Sequence, residues 1–116
     1  MKKTNKDQQE NYLERKPKRH EAIAWAKDEK GIVTLDIENT GFFNRLAQKL
    51  FHKPKVTHIH LDEMGSFVWP IIDGEKDIIA IGKEVETQFG EKANPLYERL
   101  AKFFQVLDSY HFITWN

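Results

Sequence analysis

Large apolar side chains enter this chain late. Across residues 1–19, "MKKTNKDQQENYLERKPKR", only Tyr12 and Leu13 follow Met1. Such a stretch cannot bury enough surface to offset its ordering entropy, so it reads as a flexible polar N-terminal arm. Its basic cluster of Lys16, Lys18 and Arg19 around Pro17 reads as solubilising. From residue 20 to 116 the apolar positions recur with two periods, first near two and then near 3.6, within what reads as a single domain.

The period-two segments come first. "EAIAWAK" and "GIVTLDIE" are separated by Lys27–Gly31, a polar connection ending in glycine, and together predict a hairpin closed by Asn39, Thr40 and Gly41. "FFNRLAQKLF" (residues 42–51) then has near-helical spacing and predicts a short amphipathic helix, stopped by Lys53-Pro54-Lys55. "VTHIHL" predicts a third strand. Alternation puts Thr57, Ile59 and Leu61 on a core face and Val56, His58 and His60 on a wetter one.

Three helices are predicted after that strand. Asp62 is placed to cap the first, and Asp73-Gly74 makes a turn behind it. Pro70 lies inside this helix, where a lost hydrogen bond costs about 3 kcal/mol, so a kink or an end near Trp69 is expected. The second helix starts at Asp77 and stops at Gly90. The third starts at Asn94-Pro95, with asparagine as cap, and carries a core stripe of Leu96, Leu100, Phe103 and Leu107. A last strand is expected over residues 112–115. The fold class is therefore α+β: a small antiparallel three-stranded sheet followed by a three-helix bundle, in a winged-helix-like arrangement.

Composition narrows the chemistry. The chain has 116 residues, no cysteine, and 18 basic against 18 acidic residues. Disulfides and thiol chemistry are excluded, and the phosphate-seeking basic excess of a nucleic-acid binder is missing. No apolar run approaches the roughly 20 residues needed to span a bilayer, and no secretory h-region is evident, so a cytoplasmic protein is expected.

The stretch "LDEMGSFVW" followed by "IDG" resembles the PqqD family, whose members carry a Leu-Asp-Glu-x-Gly-x-x-x-Trp pattern ending in Asp-Gly. The resemblance extends over residues 32–113 and includes Phe89-Gly90 and the Glu98-Arg99 pair. It rests on Leu61, Asp62, Gly65, Trp69, Asp73 and Gly74 as structural motif residues. It implies a winged-helix RiPP recognition element that takes no cofactor and has no catalytic residue of its own. Such a domain binds the leader of a ribosomally made precursor peptide as an added strand and presents it to a modifying enzyme. In pyrroloquinoline quinone (PQQ) synthesis that enzyme is a radical-SAM protein. Two features depart from the shorter family members: the inserted "FFNRLAQKLFHK" and Pro70 inside the first helix.

On the residues, the candidate peptide edge is Val56, Thr57, His58, Ile59 and His60, because an edge strand offers unpaired peptide groups. Tyr97, Ala101 and Phe104 form a second apolar strip on the third helix and are the candidate wall of the groove. No metal site is expected, since His58 and His60 show no third ligand and no carboxylate between them. Asp36 and Glu38 read as exposed charges, and none of the five histidines belongs to a recognisable catalytic constellation. The alternative is a DNA-binding winged-helix regulator, with Arg99 and Lys102 of helix three on phosphates; Glu98, Asp108 and zero net charge speak against it. The partners that the resemblance implies are a leader peptide and its modifying enzyme, and the charge balance and the lack of a long apolar run point away from nucleic acid and membrane. The open strand edge also invites a homodimer.

Overall fold

The computed structural model describes residues 12–38 and 56–116. The expected turn at Asn39–Gly41 and helix over residues 42–51 lie outside them. The elements are β1 (Pro17–Arg19), β2 (Ala24–Lys27), β3 (Val33–Glu38), β4 (Val56–His60), α1 (Glu63–Ile71), α2 (Ile78–Phe89), a 3-10 turn (Gly90–Ala93), α3 (Leu96–Ser109) and β5 (Ile113–Trp115). A small antiparallel three-stranded sheet and three helices make this an α+β fold, as expected. The described residues divide into two compact units, one within Glu21–Ser66 and a second made of residues 12–20 together with Phe67–Asn116.

The first unit holds the sheet β2-β3-β4, with β3 central and both pairings antiparallel. Asp28 sets the β2–β3 turn: its Oδ1 accepts from the N–H groups of Lys30 (2.8 Å) and Ile32 (2.9 Å). Gly31 supplies the positive φ of 84° that the turn requires. On β3 the period-two pattern resolves cleanly, with Val33, Leu35 and Ile37 buried and Glu38 exposed. Trp25, Leu35 and Ile59 run in one cross-strand row on that face.

The second unit is built on helix-to-helix and strand contacts. Asp77 caps α2 by accepting from the Ala80 N–H at 2.8 Å, and Gly90 ends it with φ 59° and its N–H on the Glu86 carbonyl. Both ends fall where the sequence puts them. Helix α3 begins one residue later than expected. Pro95 occupies the cap position without any side-chain hydrogen bond there, and Asn94 closes the 3-10 turn instead.

Residues 12–19, read from sequence as part of an arm, are built into this unit. β1 pairs antiparallel with β5, matching Pro17 with Trp115 and Arg19 with Ile113. Pro17 is fully buried, and Tyr12 meets Trp115 edge-on at 5.5 Å. The Arg15 guanidinium lies over the Trp115 ring at 4.0 Å. The Arg19 guanidinium donates to the carbonyls of Trp69 (3.1 Å), Pro70 (2.8 Å) and Ile72 (2.8 Å). Trp69 and Pro70 lie in the last turn of α1 and Ile72 just past it, so the guanidinium of Arg19 caps that helix at its C-terminus. That cap, with Ile72 N–H on the Trp69 carbonyl at 3.3 Å, accompanies a helix that runs through Pro70 to Ile71. The low hydrophobicity of residues 12–19 hid a short strand held mostly by backbone and arginine bonds.

Candidate functional site

The motif that opens α1 starts on a hydrogen-bonded corner. Asp62 Oδ1 accepts from the Gly65 N–H at 2.7 Å, satisfying one helix-start donor. Leu61 N–H reaches the Val33 carbonyl at 2.9 Å, and this rung has an unusual partner. The Val33 N–H donates to Ser66 Oγ (2.8 Å), and that hydroxyl donates to the Leu61 carbonyl (3.2 Å). A helix hydroxyl thus completes the β3–β4 ladder. Ser66 is 2 % exposed, and only its place inside the motif singles it out before the fold is known.

Trp69 is fully buried. Asp73 Oδ1 accepts from the N–H groups of Glu75 (2.9 Å) and Lys76 (3.0 Å), and Oδ2 takes the Lys76 ammonium at 2.9 Å. The lysine contact, then the two backbone donors, hold the Asp73 carboxyl well below the usual carboxylate range. Gly74, at φ 80°, donates to the Pro17 carbonyl at 2.8 Å and accepts from Asn116 Nδ2 at 2.8 Å. The Asp-Gly pair therefore makes the turn that meets β1.

β4 is an edge: among the described residues no strand pairs with its far side. The Leu61 N–H points at β3, so by antiparallel alternation the peptide groups of Ile59 and Thr57 do so too. Those of Val56, His58 and His60 point the other way, to the open side. Side chains alternate at right angles to this. Thr57 and Ile59 are half-buried, whereas His58 and His60 are exposed on the polar face.

That polar face is organised across strands. His58 Nδ1 lies 2.6 Å from Asp36 Oδ1, directly opposite on β3. His60 Nδ1 lies 2.8 Å from Thr34 Oγ1, opposite in the next row. Asp36 is therefore paired, contrary to its reading as a plain exposed charge. β3 supplies the carboxylate that β4 itself lacks.

On α3 the apolar strips differ from those expected. The buried stripe is Leu96, Leu100, Phe104 and Leu107, with Phe104 0 % exposed and its ring 6.4 Å from that of Trp115. Phe103 is only half-buried, so the two phenylalanines exchange roles. Phe104 cannot meet a ligand without leaving the core. Tyr97 is occupied too: its hydroxyl donates to the Ile79 carbonyl at 3.1 Å, and its ring lies where a Cβ on Gly82 would stand. Burial, with Glu86 and Asp77 adding to it, raises the Tyr97 pKa. Ala101 remains half-buried. The exposed apolar positions of this segment are instead Val106 (45 %) and Tyr110 (59 %), in line with Phe103 at i, i+3 and i+7.

Comparison with known proteins converges on the motif. The family model of coenzyme PQQ synthesis protein D matches residues 31–113, most of the chain. The chain belongs to the PqqD family. No curated protein and no solved structure matches it. Membership brings with it an association with PQQ synthesis and a peptide-binding role. Among the described residues, no helix is long and apolar enough to cross a membrane.

Proposed function

We propose that this PqqD-family protein is a non-catalytic adaptor that takes the leader of a ribosomally made precursor peptide as an extra strand on β4. It would then present that peptide to a modifying enzyme, a radical-SAM protein in the family's namesake pathway. The observation that carries the reading is the side of β4 that is unpaired among the described residues, where Val56, His58 and His60 turn their peptide groups away from β3. Strand addition draws affinity from such groups and specificity from the alternate side chains beside them. The half-buried Thr57 and Ile59 would favour apolar leader residues on their face, while polar residues would fit the histidine face.

On α3, Tyr97 and Phe104 are engaged in packing, which leaves Ala101 as the half-buried member of the expected wall. The DNA-binding alternative is disfavoured by the balance of 18 basic against 18 acidic residues.

The test is a titration of isotope-labelled protein with leader peptides encoded beside its gene. Saturable amide shifts over residues 56–61 support the adaptor. His58→Pro, which removes an outward N–H and leaves the β3 ladder intact, should abolish them in a folded protein. Shifts with duplex DNA and none with any neighbouring peptide would overturn the proposal. So would peptide binding unchanged by His58→Pro. Concentration-dependent shifts without peptide, accompanied by a doubled mass, would assign the edge to a second copy.

A further inference from the structure

We infer that His58 and His60 form a binding site for a borderline divalent metal ion, of which Zn2+ is the representative, on the polar face of the sheet. On both rings Nδ1 is already engaged by a residue of β3. A carboxylate can only accept a hydrogen bond, so at 2.6 Å from Asp36 Oδ1 the His58 Nδ1 must carry the proton. Whenever that ring is neutral, its lone pair is on Nε2. This is the tautomer that ligates metals, and a carboxylate on the far nitrogen is the usual device that fixes it. His60 Nδ1 is also engaged, with Thr34 Oγ1 at 2.8 Å; a hydroxyl both donates and accepts, so this bond orients the ring without fixing its tautomer.

The two residues are i and i+2 on one strand, so their side chains share a face about 6.8 Å apart along the strand. Both are exposed, and the His58 side chain keeps 62 % of its surface. Imidazole pairs favour Zn2+, Ni2+ and Cu2+ over harder ions. The neighbours on β2 opposite these rows are Ala24 and Ala26, too small to cover the rings. No group of three or more His, Cys, Asp or Glu placed for a metal occurs among the described residues, so the protein supplies two ligands and water the rest. Asp36 and Thr34 act as positioning residues.

The test uses the full-length protein and Zn2+ alone. Calorimetry should give one saturable ion per molecule, and imidazole nitrogen spectra should show the Nε2 signals of His58 and His60 shifting together. His58→Ala and His60→Ala should each weaken binding at least tenfold. Asp36→Ala, with both histidines kept, should weaken it about 10- to 100-fold by releasing the tautomer. A free peptide of residues 56–61 carries the same histidines without β3 and should bind correspondingly weakly. The inference is overturned if either histidine variant binds as the parent does, if Asp36→Ala has no effect, or if the free peptide matches the protein.

Discussion

Gly82 is where the packing of the second unit can be tested most sharply. A Cβ added there would stand 2.5 Å from Tyr97 Cε1 and 2.8 Å from its Cζ and Oη. Carbon atoms prefer about 3.5–4.0 Å, so the tyrosine ring has to move by roughly 1 Å or swing out. Either response breaks the hydroxyl's 3.1 Å bond to the Ile79 carbonyl. Overpacking costs about 1–3 kcal/mol and the lost bond about 1 kcal/mol, while alanine regains about 1 kcal/mol of helix propensity. Gly82→Ala should therefore destabilise by about 1–3 kcal/mol. In a Tyr97→Ala background the space is vacant, and the same substitution should stabilise by up to about 1 kcal/mol. Urea unfolding followed by circular dichroism at 222 nm measures both arms, with the m-value checking that the unfolded state is unchanged. Equal effects in the two backgrounds would refute the contact as the reason for the glycine.

Three further outcomes are expected. Arg19→Ala should cost about 2 kcal/mol in urea unfolding, because one guanidinium serves three carbonyls at the end of α1; a neutral result would restore residue 19 to a dispensable arm. Asp77→Ala should lose about 1 kcal/mol in the same assay through the 2.8 Å cap on Ala80, and Asp77→Asn should retain most of it. Burial, with the nearby Asp108 adding to it, pushes the Tyr12 hydroxyl up to about 12. The neutral phenol is then favoured in the folded state: its contribution is complete below the ordinary value of 10 and disappears as pH rises toward 12. Ultraviolet titration should show that late phenol, and Tyr12→Phe should remove it and flatten the alkaline loss of stability.

How far the sequence was legible depended on whether an interaction was local. The β2–β3 turn, the Asp62 and Asp77 caps and the Gly90 stop each involve residues within four positions of one another, and each falls where residue type and spacing put it. The alternation of β3 and β4 was equally plain. The failures are long-range. β1 is a strand because β5, nearly a hundred residues on, pairs with it, and no local pattern in Pro17–Arg19 announces that. Phe103 and Phe104 flank the same apolar arc, and only the contact with Trp115 decides which is core. For the candidate site, the strand itself was visible from the alternation of its own residues, whereas its role as an edge came from the resemblance. The pairing of His58 with Asp36 depended on cross-strand register, which one strand alone does not specify.

The hydroxyl of Ser66 gives the motif a fixed ruler. It serves as both acceptor and donor between Val33 and Leu61, so the number of residues from strand end to helix turn is set by geometry. One residue more or fewer between Leu61 and Ser66 would rotate position 66 by about 100° around the helix and aim another side chain at the ladder. The segment should therefore accept changes of residue at Glu63 or Met64 far more readily than any change of length.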